Sequence, residues 1–295
     1  MITVMGATGH TGKRITDLLL QAGEQVRALG RSESKLSGLA RDGAQVLAGD
    51  PTDAAFLTQA FRGADAVYTL LPYDAQTIDY YAQQKAQGEA IAKALRDSGV
   101  RHVVALSSVG ADLPSGTGPI ASLYAQEARL REVEGANVLI LRAGALFENF
   151  YGALGLIKQQ GINADAVAAD VAIPMIATRD VADVAAKALM ARNWSGVLVR
   201  ELLGPRDLSY AEATRILGAR IGKPELAYVQ LSYGELAEAL QQAGFSENLA
   251  SLYAELAQAI SERRVRAREA RKPENTTPTR FEDFAEELAG AYQAM

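Results

Sequence analysis

Cysteine is absent from this chain of 295 residues, and histidine and tryptophan are scarce, with two residues and one residue. Without cysteine the chain has no disulfide, no thiolate metal ligand and no cysteine nucleophile. His10 and His102 are too few for a histidine-rich metal centre, so we expect no metal site. These absences exclude thiol chemistry and point away from metal chemistry.

A strong charge of one sign and long apolar runs are also missing. The formal net charge is -5, and this mildly acidic balance argues against nucleic acid or an anionic membrane as the main partner. No apolar run is long enough to span a bilayer. The first apolar run has the length of a strand and no basic residue before it, so we expect no signal peptide. The sequence therefore predicts a cytoplasmic globular protein, monomeric or homodimeric, that binds neither membrane nor nucleic acid directly.

Glycine is plentiful, and three glycines follow that first apolar run. Ile2 to Met5 predicts a buried strand, Gly6, Gly9 and Gly12 follow at G-x-x-G-x-x-G spacing, and Thr11 to Ala22 has helical periodicity. One glycine allows a tight turn, one lets backbone N–H groups approach a pyrophosphate, and one lets the helix pack closely on the strand. The phosphates then lie at the positive end of the helix. This order predicts a dinucleotide site, and a tight turn without a ligand is the alternative.

Strands and helices alternate through the first half of the chain. Further strands are predicted at Gln25–Gly30, Ala44–Ala48, Ala66–Leu71, Val103–Leu106 and Val138–Leu141, with helices that include 75–98 and 120–132. The alternation predicts an α/β protein with a Rossmann-type, doubly wound parallel sheet. We predict a NAD(P)-binding Rossmann domain over residues 1–150. A smaller, mainly helical C-terminal lobe is predicted over 151–295, with some segments returning to the first domain.

Elements are shorter in the second half of the chain. The strand predicted over 171–176 contains Pro174, which favours an edge position because proline has no N–H for the ladder. Thr178 is predicted to cap the next helix. The basic run from Arg263 to Lys272 predicts a solvated helix face.

Arg31 follows the second predicted strand, whose tip meets the adenosine ribose in dinucleotide folds. No carboxylate stands there, and Lys35 comes one helical turn later. Because a guanidinium binds phosphate bidentately, NADP(H) is predicted in preference to NAD(H). The alternative is that both cations are solvated surface residues. Asp50, at the end of the third strand, is either an adenine contact or a turn-forming residue.

The tip of the fourth strand should border the cofactor, and Ser107 ends the fifth. The predicted cofactor contacts are Gly6, Thr8, Gly9, His10, Thr11, Gly12, Arg31, Lys35, Asp50, Leu70, Leu71, Pro72 and Ser107.

Several motifs together resemble one family. They are Gly6-Ala-Thr-Gly-His-Thr-Gly12, Gly49-Asp50, Ser107-Ser108-x-Gly-Ala111, Leu141-Arg142-x-Gly144, Glu148-Asn149, Gly204-Pro205 and Thr277-Pro278. In this order, over essentially the whole chain, they resemble the NmrA-like branch of the atypical short-chain dehydrogenases. The resemblance implies a Rossmann domain with a small lobe covering a cleft. Members of this branch include NADPH-dependent quinone oxidoreductases, triphenylmethane reductase, and redox-sensing regulators that bind dinucleotide without turnover.

The chain departs from the wider short-chain dehydrogenase pattern at the catalytic Tyr-x-x-x-Lys pair. Tyr124 is followed four residues later by Ala128, and if Tyr124 takes the lysine position instead, Ile120 takes the tyrosine position. Neither alignment restores the pair, so ordinary carbonyl chemistry lacks its proton carrier. A quinone takes up charge readily, and solvent or one hydroxyl suffices to protonate it. Nucleotide-sugar epimerisation would need the missing base.

Ser107 and Tyr124 are the catalytic candidates. Ser107 either donates a hydrogen bond to a substrate oxygen or satisfies backbone at a strand end. Tyr124 lies either near the nicotinamide or in helix packing. Arg142 is expected to anchor its loop through a buried ion pair. The candidates for a flat substrate pocket, with packing as the alternative, are Tyr73, Asn149, Phe150 and Tyr151.

Two functions follow from these residues. The first is an NADPH-dependent oxidoreductase that passes hydride to a quinone or a similar conjugated acceptor, the cofactor carrying the chemistry and the protein the positioning. The second is a non-catalytic NADP(H)-sensing regulator that acts through a protein partner.

Overall fold

The computed structural model describes residues 1–295. Its strands are β1 (Ile2–Val4), β2 (Val26–Gly30), β3 (Gln45–Ala48), β4 (Ala66–Thr69), β5 (His102–Ser108), β6 (Asn137–Ala143), β7 (Ala145–Leu146), β8 (Ile162–Asp165), β9 (Ile173–Ile176), β10 (Val197–Leu202), β11 (Asp207–Leu208) and β12 (Ala227–Gln230). Its helices are α1 (His10–Gln21), α2 (Glu33–Arg41), α3 (Ala54–Phe61), α4 (Tyr80–Ser98), α5 (Ala121–Arg131), α6 (Leu154–Gln160), α7 (Thr178–Ala191), α8 (Tyr210–Arg220), α9 (Tyr233–Gln242), α10 (Glu247–Ser261) and α11 (Phe281–Ala294). Two 3₁₀ segments span Gly118–Ile120 and Phe147–Ala153.

A seven-stranded parallel sheet in the order β10-β6-β5-β4-β1-β2-β3 organises the molecule. Apolar side chains of α1, α2 and α7 pack on one face, and those of α3, α4 and α5 pack on the other. Central strands such as β1 and β4 are fully buried because both faces are covered. The strand order reverses between β1 and β4, and open α/β sheets bind ligands at such a point. The predicted Rossmann-type α/β class is confirmed.

A second hydrophobic core lies mostly in the part of the chain after β6, and apolar side chains of α6, α8, α10 and α11 contribute to it. Two small sheets belong to this lobe, one with the order β11-β9-β7 and one that pairs β12 with β8. Two later elements lie with the first domain: α7 packs against α1, and β10 extends the large sheet beside β6. None of the eleven helices has both the length and the apolar character that a bilayer crossing requires.

Aspartates cap two helices of the first domain. The Asp53 carboxylate accepts the backbone N–H groups of Ala55 and Phe56 and so caps α3. The helix after β4 begins at Tyr80 rather than at residue 75, because the Asp79 side chain caps it there by accepting the Ala82 N–H.

The predictions for Pro174 and Thr178 are wrong. β9 lies between β11 and β7 rather than at an edge. Its ladder to β7 pairs Met175 and Ile176 only, so Pro174 does not belong to that ladder. Thr178 is the first residue inside α7, and Ala177 holds the N-cap position without a side-chain bond.

The basic run is not a helix face. After α10, Arg263 has a positive φ of 57°, Val265 packs in the second core, and Arg268 then reaches β10 of the large sheet. The buried Glu201 carboxylate accepts the backbone N–H groups of Arg268 and Glu269, at 2.9–3.0 Å. The Arg268 Nε also donates to Asp112 at 2.7 Å. The run, residues 263–272, is therefore a strap bonded to the first domain.

Candidate functional site

The turn between β1 and α1 has the geometry of a phosphate cradle. Gly6 has a φ of +63°, which only glycine adopts readily, and the Gly9 N–H closes the turn by donating to the Gly6 carbonyl at 2.9 Å. Gly9 is the N-cap of α1, and no side chain caps this helix. The first N–H groups of α1 are therefore left for a ligand, and a helix N-terminus favours an anion.

Gly12 explains why this helix can lie so close to the turn. A Cβ at this position would lie 2.2 Å from the Gly6 carbonyl oxygen and 2.7 Å from the Gly6 carbonyl carbon. Both are backbone atoms, so no flexible side chain could move aside. The third glycine of the motif thus has a packing role, and the turn that it permits fits a pyrophosphate.

A cleft of about 210 Å³ opens over this turn, on the side of β2 and β3. It brings together seven of the predicted cofactor residues, which are Gly6, Thr8, Gly9, Thr11, Arg31, Leu70 and Pro72. Six others do not line it, and these are His10, Gly12, Lys35, Asp50, Leu71 and Ser107. The cleft also contains residues that the sequence did not indicate, chiefly Phe56 and Pro51. The sequence signal that could have indicated Phe56 is Gly49. In the structure a Cβ at this position would lie 2.6 Å from the Phe56 ring.

The end of the cleft next to β2 and β3 carries the exposed Arg31. Asp50 is exposed beside it, and its carboxylate accepts both the N–H and the hydroxyl of Thr52 at 2.8 Å. These two bonds, and to a lesser degree the charge of Arg31, lower the pKa of Asp50. Asp50 therefore has a turn-forming role, whereas its adenine contact stays a prediction. Lys35 is exposed on α2.

Tyr68 contacts the first turn of α1 next to the cradle, and the sequence analysis did not predict a role for it. Its side chain is fully buried in β4, and its hydroxyl lies 3.1 Å from the Thr11 hydroxyl. Burial raises the Tyr68 pKa, so the phenol stays protonated. A Tyr68 hydroxyl that donates to Thr11 leaves the Thr11 hydrogen free for a phosphate oxygen.

Ser107 belongs to a buried charged network. Its hydroxyl donates to the Glu127 carboxylate at 2.7 Å, and the Arg142 guanidinium donates to both oxygens of the same carboxylate at 2.8 and 2.7 Å. The predicted ion pair of Arg142 is confirmed, and this pairing raises the Arg142 pKa. The single hydroxyl hydrogen of Ser107 is already donated to Glu127. This arrangement does not fit the predicted donation from Ser107 to a substrate oxygen, and it leaves Ser107 as an acceptor.

The remaining candidates lie apart from the phosphate cleft. Tyr124, on α5, is 40% exposed, and Tyr73 and Asn149 are also exposed. Phe150 is only 4% exposed, and its ring packs 4.9 Å from that of Phe281, which favours the packing alternative. Tyr151 lines a second cleft, described below.

The fold and the cradle define a class of protein, the Rossmann-type dinucleotide-binding proteins. Residues 1–285 match the NmrA-like family, and the chain belongs to that family.

Two curated relatives are similar to this chain. Quinone oxidoreductase 2 of Escherichia coli strain K12 is 26% identical over 259 residues, 86% of each chain. A (4-alkanoyl-5-oxo-2,5-dihydrofuran-3-yl)methyl phosphate reductase of Streptomyces griseus is 29% identical over 224 residues, 76% of this chain and 75% of the reductase. Both names support an oxidoreductase.

Two solved structures share the fold. An NADPH-dependent quinone oxidoreductase of Escherichia coli complexed with NADPH has a TM-score of 0.82 at 24% identity, and the match covers 99% of each chain. The Citrobacter sp. triphenylmethane reductase complexed with NADP(H) has a TM-score of 0.82 at 23% identity, covering 98% of this chain and all of the reductase.

Proposed function

We propose that this protein is an NADPH-dependent oxidoreductase that reduces a quinone or a similar flat, conjugated acceptor. The observation that carries the proposal is the uncapped glycine turn, which opens into a cleft with Arg31 at its far end. Such a turn suits a pyrophosphate, and a guanidinium beyond it suits a 2′-phosphate. The named relatives support the same reaction class.

The chain's own residues have a limited part in this chemistry. NADPH, when bound, supplies the hydride, and the protein binds and orients it. The position four residues after Tyr124 is Ala128, so no lysine can hold a tyrosinate there. Ser107 is held as an acceptor by Glu127. An acceptor that needs little protein-derived acid, such as a quinone, fits this set of residues best.

The test is NADPH oxidation, followed by absorbance, with a panel of benzoquinones, naphthoquinones and triphenylmethane dyes. We expect turnover with at least one of them and a higher kcat/KM for NADPH than for NADH. Arg31→Asp should weaken NADPH binding about 10- to 150-fold, because a charge-assisted bond of about 1.5–3 kcal/mol is lost.

The matched control is Arg41→Asp, which makes the same charge change at an exposed residue of α2 outside the cleft. It should leave NADPH binding within about twofold of wild type, because an exposed charge outside the cleft is screened by solvent. Tight NADPH binding without turnover across the panel would contradict the enzyme and favour the sensing regulator. Equal binding of NADPH and NADH by the wild type would contradict the role of Arg31.

A further inference from the structure

A second cleft, of about 330 Å³, lies between the first domain and the C-terminal lobe. Its lining residues are His10, Arg14, Glu148, Tyr151, Thr178, Arg179, Phe284 and Glu287. His10 directly follows Gly9, which lines the first cleft. The two clefts therefore lie on either side of the start of α1. Pockets for small ligands occupy about 300–1,000 Å³, so this cleft suits a molecule of one or two rings.

The position of the second cleft relative to the sheet suggests what it holds. The strand order of the sheet reverses between β1 and β4, and this position is its switch point. The first cleft lies on the β2 and β3 side of the switch point, with Leu29 and Gly49 in its wall. The second lies where α7 begins, and α7 packs over β4, β5 and β6. The two halves of a dinucleotide occupy opposite sides of the switch point. The second cleft therefore flanks the half of the site where the reactive ring belongs.

The charged residues of the second cleft already have protein partners. The Arg14 guanidinium donates to Asp183 at 2.6 and 3.0 Å, and Arg179 pairs with Glu287. The Glu148 carboxylate accepts the N–H and the hydroxyl of Thr178, at 3.0 and 2.6 Å. The two arginines and two glutamates of the cleft cancel in formal charge, and each already has a protein partner, so a charged ligand gains little there.

The other two polar groups of the cleft, the His10 imidazole and the Tyr151 hydroxyl, take no part in these contacts. The Tyr151 ring lies edge-on to the buried Phe284 ring, with 5.9 Å between centroids and 78° between planes. Arg179 lies 6.0 Å from the centroid of the Phe284 ring. Aromatic rings beside a hydroxyl that can donate a hydrogen bond fit an uncharged ring that carries acceptor oxygens.

We propose that this second cleft is the acceptor subsite and that the Tyr151 hydroxyl donates a hydrogen bond to a carbonyl oxygen of a bound quinone. The inference rests on the proposed function. In the balanced reaction the quinone gains the hydride supplied by NADPH and one proton from water, giving the hydroquinone and NADP⁺. Burial, together with Glu287 and Glu148, raises the Tyr151 pKa. The phenol therefore stays protonated at neutral pH, which makes it a hydrogen-bond donor rather than the proton source.

The test compares Tyr151→Phe with Tyr233→Phe. Both tyrosines are 37% exposed, and Tyr233 begins α9 and lines neither cleft. Tyr151→Phe should lower kcat/KM for 2-methyl-1,4-naphthoquinone about three- to tenfold, the effect of one lost hydrogen bond. It should leave the KM for NADPH within about twofold of wild type, and Tyr233→Phe should change neither value.

A binding measurement separates this inference from the proposed function. Equilibrium dialysis of the same quinone against protein saturated with NADP⁺ involves no turnover. We expect Tyr151→Phe to weaken quinone binding about three- to tenfold. If the wild type reduces no quinone but this difference in binding is found, the proposed enzyme fails and the subsite stands. If Tyr151→Phe matches Tyr233→Phe in both assays, or raises the KM for NADPH as much as that for the quinone, the subsite is wrong.

Discussion

Replacing Gly12 by alanine tests the phosphate turn without touching any side chain. The new Cβ would lie 2.2 Å from the Gly6 oxygen, 2.7 Å from the Gly6 carbon and 3.1 Å from the Ala7 Cα. All three are backbone atoms of the turn itself. The φ of Gly12 is not positive, so the alanine is disfavoured by this clash alone.

The size of the effect follows from two opposing terms. Alanine in a helix gains about 0.8–1 kcal/mol over glycine. Overpacking at a close contact costs about 1–3 kcal/mol. Gly290→Ala is the matched control, because Gly290 lies inside α11 and a Cβ there meets nothing within 4 Å. Gly290→Ala should gain the helix propensity of alanine without the overpacking cost. The free energies of unfolding of the two variants should therefore differ by that cost, about 1–3 kcal/mol.

Urea unfolding measures that difference, and NADPH titration measures its effect on the site. A turn displaced enough to lose about 1.4 kcal/mol of phosphate contact binds NADPH about tenfold more weakly. Gly290→Ala should bind NADPH like the wild type. If Gly12→Ala is as stable as Gly290→Ala and binds NADPH equally well, the close approach of α1 to the turn is not what shapes the site.

Two further predictions concern stability. Glu127→Ala removes the bidentate partner of the Arg142 guanidinium, which is only 12% exposed, and should lower the free energy of unfolding by about 3–5 kcal/mol. Asp97→Ala, which breaks an exposed pair with Lys93, should cost less than about 1 kcal/mol. Urea unfolding of both variants measures the two losses, and similar losses would refute the prediction. Burial, and then the charge of Arg192, lowers the pKa of His102 in the folded state. The unfolded chain therefore binds the proton more readily, so the melting temperature should fall as pH drops below about 6.5. His102→Gln should show a shallower fall between pH 7.5 and 5.5, and an unchanged slope would contradict the assignment.

Sequence patterns predicted the first domain well because its determinants are local. The glycine turn and the buried parallel strands each depend on residues close together in the chain. Arg142 was predicted to form a buried ion pair, but its partner was not. Glu127 lies 15 residues earlier, on α5, and only the pairing of β5 with β6 and the packing of α5 bring the two together.

The second lobe was predicted less well because its elements depend on distant partners. β8 has only four residues and exists through its pairing with β12, 65 positions later at Ile162 and Ala227. The strap was predicted to be a solvated helix face because its basic side chains dominate the sequence pattern. Glu201 binds the backbone of the strap, and a backbone contact leaves no signal in the residue types. Tyr151 and Phe150 are neighbours in sequence, yet one lines a cleft and the other is buried. The 3₁₀ segment sets the directions of these two side chains, and no periodicity in the sequence predicts that segment.

The most direct test of the account is a crystal structure of the protein soaked with NADPH. We expect the pyrophosphate over Gly6–Gly12 at the start of α1, with the 2′-phosphate against Arg31. A dinucleotide bound elsewhere, or a turn left without density at saturating NADPH, would contradict the claim that this turn holds the cofactor.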